Sequence, residues 1–378
     1  MAAVVPVERD LRLDLFRGLA LWLLFLDQLP SAVVSAFSIR SYGFSDATEI
    51  IIFIFGYTAG FVYGELLRER GFVIATANIV RRAWQVYVAH VFLFVFYVAE
   101  IAYVSRRFDN PLFAEDTNIF EFLHRPDLTL FEGLILNFKP AHMDVLPLYI
   151  LLLVAFGPAL WLLSRRPALM LAGSAALYAL SRTYGWNLPA YPAGHWPLNP
   201  FAWQLLFVLA AWCGLGLPKA LDAAIGSRAA LAVAAGYLAL AFAMVMALFY
   251  PQASGHVPSW LIDVIYPIDK TDLDPARLLH FLALAVVARR LVPADWAGLK
   301  WRTLRPLILC GQYLVEIFCL SVFLTLAAQS VFVEISDNVS THLMAAGLGI
   351  IVMGAAAQFI AFFGPLTAGG RPRPAPAG

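Results

Sequence analysis

The sequence predicts an all-α, polytopic integral membrane protein with about ten transmembrane helices and both termini in the cytoplasm. Three observations predict it. Of the 378 residues, 61% are hydrophobic and 13% charged, with a mean hydropathy of +0.75, whereas soluble domains carry about 25% charged residues. Apolar runs of the ~17–25 residues that a crossing needs recur along the chain. Lysine and arginine collect in alternate connecting segments, the pattern of the positive-inside rule. The net charge is +1, and the basic residues are scattered singly and in pairs, so no nucleic-acid-binding surface is expected.

The ten segments are 12–36, 46–66, 80–104, 144–164, 168–183, 201–217, 229–250, 276–293, 305–330 and 341–363, the fifth and sixth being short. The first apolar stretch runs past the length of a signal-peptide core with no small-residue cleavage site behind it, so it reads as a retained anchor. With the N-terminus inside, seventeen lysines and arginines fall on inner segments and eight on outer ones. Inner members include Arg9, Arg371 and Arg373. Arg17 lies within the first span. Residues 1–366 read as one transmembrane domain and 367–378, rich in Pro, Gly, Ala and Arg, as a disordered cytoplasmic tail. Cys213, Cys310 and Cys319 sit in apolar segments and form no disulfide or metal-binding pattern, so each reads as a packing residue.

Two outer loops are long enough to suggest function. One, 105–143, carries Asp109, Glu115, Asp116, Glu121 and Asp127. The other, "SRTYGWNLPAYPAGHWPLNPFAWQ", carries Tyr184, Trp186, Tyr191, Trp196 and Trp203. These aromatics suit either an interfacial belt or a sugar-stacking rim.

Charge inside the spans points to chemistry, because each such group costs at least ~2.5–3.5 kcal/mol near the bilayer centre. In "RLDLFRGLALWLLFLDQLP", Arg17 and Asp27 are ten residues apart, about 15 Å along a helix. That separation places Arg17 in the inner half and Asp27 at the middle or beyond, and forbids a simple ion pair. In the second span Asp46 and Glu49 share a face, and Gly56 and Gly60 form a small-xxx-small seam for a close neighbour. His142 and Asp144 open the fourth span, Trp203 and Gln204 the sixth, Arg277 and His280 the eighth, and Glu316 lies in the ninth. As a set these read as a polar cavity toward the outer leaflet. Singly, any of them also reads as polar glue between helices. At the inner face Arg68, Arg70, Arg81 and Arg82 suit either topology alone or a site gripping anionic phosphates.

"RLDLFRGLAL", "GFSDATEIIIFIFGYTAGFVYG" and "MDVLPLYILLL" together resemble the OpgC family, which is similar to the wider transmembrane acyltransferase superfamily. The resemblance is strongest over 9–90 and 142–160 and loose after about 220. It implies an enzyme that adds succinyl groups to glucose hydroxyls of osmoregulated periplasmic β-glucans at the bacterial inner membrane. Succinyl-CoA would be the donor substrate, with no tightly bound cofactor; monomer and homo-oligomer both stay open. Asp14 and Arg17 match the family's "D..RG", Asp27 its acid at the end of the first helix, Asp46, Glu49 and Tyr57 its "SDA.E…GY", and Met143, Asp144 and Pro147 its "MDVLP". Many relatives place a histidine after that acid, where this chain has Gln28, which cannot act as a base. Either the base is Asp27, Glu49 or His142, with Gln28 orienting substrate or helping at the oxyanion, or this member is weak or altered in activity. Arg17 would hold the CoA arm or the succinyl carboxylate, and Arg68, Arg70, Arg81 and Arg82 the CoA phosphates. Asp14, Asp46, Tyr57, Asp144, Trp203, Gln204, His280 and Glu316 are expected along the substrate path. A transporter or flippase of an anionic or sugar substrate is the alternative reading.

Overall fold

The computed structural model describes residues 10–108, 119–249 and 265–367. Arg9, Asp109, Glu115, Asp116, Arg371, Arg373 and the 368–378 part of the tail lie outside them. Among the described residues the regular structure is helical, and each of the ten predicted segments carries helix. In order these are α1 (Leu11–Gln28), α2 (Ala32–Ser35), α3 (Ala47–Phe108), α4 (Phe120–His124), α5 (Pro126–Leu134), α6 (Val145–Arg165), α7 (Pro167–Tyr184), α8 (Pro200–Leu215), α9 (Lys219–Ile225), α10 (Arg228–Phe249), α11 (Pro275–Leu291), α12 (Arg305–Gln312), α13 (Leu314–Glu334) and α14 (Val339–Thr367). Below, the near face is the one where α1 begins and the far face the one where it ends.

By length and hydropathy, five of the described helices suffice to cross a membrane, or six if α8 and α9, bent by 113°, count as one span. The remaining segments fall short for physical reasons. α1 carries Arg12, Asp14, Arg17 and Asp27, and α8 and α11 have 16 and 17 residues. α3 counts once in that tally although Gly71, with φ 81° and ψ 176°, interrupts it. The interruption is a reversal. Tyr63 and Arg82 line one cavity, although 19 residues of continuous helix would hold them about 28 Å apart. Glycine suits this left-handed position because it has no Cβ. The limbs 47–70 and 72–108 therefore run antiparallel, as the predicted second and third spans require.

The predicted ninth span is broken. Tyr313, at φ −111° and ψ 48°, separates α12 from α13. At this break α12 lies backbone to backbone on α1. A Cβ on Gly18 would overlap the Leu307 carbonyl, and one on Gly311 the Asp14 carbonyl. Gly56 and Gly60 similarly admit the α8 backbone at Phe207 and Ala211, the close approach their spacing predicts. Gly311→Ala is expected to cost about 1–3 kcal/mol through overpacking, seen as a lower unfolding temperature in detergent. An unchanged midpoint would contradict this packing.

The core is one continuous apolar cluster through α1, α3, α6, α8 and α13, with Phe25, Phe156, Trp203, Phe207 and Phe318 fully buried. Outward faces stay apolar, as at Trp84, Phe92, Val233, Leu348 and Phe362, which suits a lipid environment rather than water. Inside this frame the charged side chains gather at two levels of α1.

Candidate functional site

At the far face, α3 starts with a capping box. Asp46 accepts the Thr48 N–H (2.8 Å), and Glu49 Oε2 accepts the Asp46 N–H (2.9 Å). Arg277 of α11 closes the group. Its Nε donates to Glu49 Oε1 (2.7 Å) and its Nη2 to Asp46 Oδ2 (3.0 Å). Glu49 is fully buried and both its oxygens are occupied. This corrects the expectation of Glu49 as a candidate base, since a carboxylate locked to a guanidinium and a backbone N–H cannot meet a hydroxyl. Asp46 is likewise a structural anchor for cations.

Lys270 donates to Asp46 Oδ2 at 2.7 Å. Its loop is rigidly held. The indole of Trp203 donates to the Lys270 and Thr271 carbonyls (3.2 and 3.1 Å), the Asn199 N–H to the Thr271 carbonyl (2.9 Å), and Tyr178 Oη to the Leu273 carbonyl (2.7 Å). Trp203 is fully buried, so it fixes this loop and offers no stacking face, a correction to its expected substrate contact. Gln204 ties α8 to Ser174 of α7 through 2.6 and 2.9 Å bonds, as helix glue.

Asp27 is partly exposed. It accepts from Ser38 Oγ and, at 3.4 Å, from the Ala47 N–H. Gln28 turns away from it. Gln28 is buried, and its side-chain oxygen accepts from Thr325 Oγ1 at 3.2 Å, so its role is to fix α1 on α13. Gln329 of α13 bridges two elements, donating to the Gln28 carbonyl (3.4 Å) and to His142 Nε2 (3.0 Å). His142 thus stands beside the end of α1 in a left-handed backbone conformation, φ 66°, a strain that sidechain-rich functional loops tolerate. Burial, and then the Lys270 charge, hold its imidazole down to about 4, so it is neutral at pH 7. In the same turn, burial brings the Lys139 ammonium down to about 8, with Trp196 3.7 Å beneath it. Asp144 precedes α6 without capping it.

A far-face cavity of about 400 Å³ opens beside Arg277, walled by Arg40, Phe44, Ser45 and Tyr266. His280 is buried here, 2.7 Å from Ser45 Oγ. The aromatic loop is divided. Tyr184 and Trp186 stack in the open (5.8 Å), Tyr191 Oη donates to Glu121 (2.9 Å), and Trp196 is buried.

Nearer the near face lies a cavity of about 300 Å³. Arg17 enters it, paired to fully buried Asp14 (2.8 Å) and hydrogen-bonded to Thr58. Asp14 therefore orients Arg17 and has no surface for substrate, correcting its expected role. Arg82, Tyr63, Tyr149 and Glu316 complete the polar wall. Glu316 belongs to this level, just past the break at Tyr313, not to the far cluster. Of the four arginines of the 68–82 stretch, Arg82 lines the cavity while Arg68, Arg70 and Arg81 are exposed. Tyr57 lies apart from Asp46 and Glu49, near Asp10, Arg12 and Arg289.

Sequence reasoning assigned no role to Lys270, Ser38, Thr325 or Gln329, and none to Arg277 beyond marking it as polar. The available signal was "YPIDKTDLDPAR", where charges crowd ahead of an Asp-Pro helix start. Asp274 indeed caps α11, accepting from the Ala276 N–H at 2.8 Å.

A family model described as OpgC protein matches residues 9–363, nearly the whole chain. Neither the curated proteins nor the solved structures compared with the chain contain a match to it. The chain belongs to the OpgC protein family, a membership that implies an acyltransferase role.

Proposed function

We propose that this protein is an O-succinyltransferase of the bacterial inner membrane. It moves the succinyl group of succinyl-CoA, supplied at the near, cytosolic face, to a glucose hydroxyl of a β-glucan at the far, periplasmic face. In this reading the ten helical segments are ten crossings, α12 and α13 forming one broken span, and both termini are cytoplasmic. The observation that carries it is the arrangement along α1. A partly exposed carboxylate, Asp27, closes α1 next to Gln28, whose carbonyl Gln329 links to neutral His142, and an arginine-lined cavity around Arg17 lies about 15 Å below. A donor arm threaded from the cavity would present its thioester at the level of Asp27.

Acyl transfer needs a base for the hydroxyl, a cation or donor for the developing oxyanion, and exclusion of water. Asp27 takes the hydroxyl proton. The hydroxyl oxygen bonds to the thioester carbonyl carbon, the carbon–sulfur bond breaks, and the proton passes to the departing thiolate. Arg17 and Arg82 hold the donor arm, with Arg68, Arg70 and Arg81 placed for its phosphates. Ser31 and Ser45 each meet a histidine, at 2.9 and 2.7 Å, but both are buried, which favours direct transfer over an acyl-serine. The test is incubation of purified protein with radiolabelled succinyl-CoA and β-glucan. Covalent label on the glucan is expected. Passage of glucan or anion across vesicles with no label transferred would replace this reading with the carrier.

A further inference from the structure

Resting on the acyltransferase reading, we propose that Lys270 determines donor specificity, binding a free carboxylate at the distal end of the acyl group and so selecting dicarboxylic over neutral acyl donors. A donor arriving from the near-face cavity carries its acyl group ahead of the thioester. The end of that group remote from sulfur therefore points toward the far face, into the ring of charge around Lys270. Two cations stand there close to Asp46, and they differ in availability. Arg277 is spent on Asp46 and Glu49, and its side chain is 10% exposed. Lys270 is 43% exposed. Its ammonium has three donors, and among the described residues Asp46 is its hydrogen-bond partner.

Its position is central as well as open. The Lys270 charge acts on Asp27, Asp46, Glu49, His142 and Asp144, four acids and a neutral imidazole contributed by three separate stretches of chain. The Trp203, Asn199 and Tyr178 bonds to carbonyls 270, 271 and 273 hold the loop backbone in place, so the cation is presented without a large ordering cost. A carboxylate of the acyl group would share the ammonium with Asp46 through a charge-assisted bond, whereas a methyl end would leave that donor capacity unused. The bonds made and broken are those of the carbonyl carbon, and the hydroxyl proton goes by way of Asp27 to the thiolate.

The experiment compares succinyl-CoA with butyryl-CoA, which has the same four-carbon length without the carboxylate, in wild type, Lys270→Met, Lys270→Gln and Lys270→Arg. Wild type is expected to favour succinyl-CoA. Lys270→Met and Lys270→Gln should lower kcat/KM for succinyl-CoA about 10- to 100-fold, the worth of one charge-assisted bond, and leave butyryl transfer within about threefold. Lys270→Arg should restore most of the preference. Lys270→Gln retains a hydrogen bond to Asp46 and guards against loss of folding. An equal fall for both donors would assign Lys270 to the reacting carbonyl or to stability and overturn the proposal, as would an unchanged preference. Wild-type protein that transfers neither group would instead remove the acyltransferase reading itself.

Discussion

Asp27→Asn yields a folded protein that transfers acyl groups at least ~10²–10⁴-fold more slowly than wild type, the usual contribution of a positioned general base. The substitution is conservative for the fold. Ser38 Oγ and the Ala47 N–H hold opposite oxygens of Asp27; Asn keeps an oxygen for the Ala47 N–H, and its NH2 can donate to Ser38 Oγ, which then accepts. What it loses is the capacity to take a proton. The measurement is the initial rate of label transfer, alongside the unfolding midpoint. Near-normal turnover in Asp27→Asn would move the role to His142, which Gln329 links to the carbonyl of Gln28, the residue after Asp27. His142→Gln is the natural companion, since it preserves a polar group facing Gln329.

The largest loss of stability is expected at Arg277. Two acids, Glu49 fully buried and Asp46 nearly so, depend on its guanidinium. Arg277→Leu leaves Glu49 without its cation, with Lys270 reaching Asp46 alone. Removing one partner of a buried ion pair typically costs about 3–5 kcal/mol, enough to lower the unfolding midpoint markedly or prevent accumulation of folded protein. Combining Arg277→Leu with Glu49→Gln should recover part of the loss, because the deepest charge is then gone. A midpoint equal to wild type in the single variant would show that these carboxylates do not need the arginine.

How much of this was written in the sequence differs between fold and site. Helix positions follow from apolar runs, and the Gly56/Gly60 seam announces the contact with α8. The division at Tyr313 does not, because Leu, Ile, Val and Phe continue on both sides. It arises where Gly311 meets the Asp14 carbonyl on a helix almost 300 residues earlier. The same distinction governs the charges. The ~15 Å separation of Arg17 and Asp27 follows from helix rise alone, and the structure keeps them on different partners. Asp46 and Glu49 are legible as a shared face, and also as the D-x-x-E of a capping box. Their true partner, Arg277, is 228 residues from Glu49. Gln28 poses the clearest case. Its identity shows only that it is no base, whereas its burial against Thr325 and its link through Gln329 to His142, 187 residues from Gln329, depend on how α13 packs on α1.

The central claim is that donor and acceptor meet from opposite sides of one bundle. Its most direct test is transfer in sealed vesicles containing the oriented protein. Labelled succinyl-CoA is supplied on the side of the Gly71 reversal and β-glucan on the side of Lys270. The account predicts labelled glucan only in this arrangement, with none when the two substrates are exchanged between sides. Equal labelling with both substrates confined to the Lys270 side would contradict it.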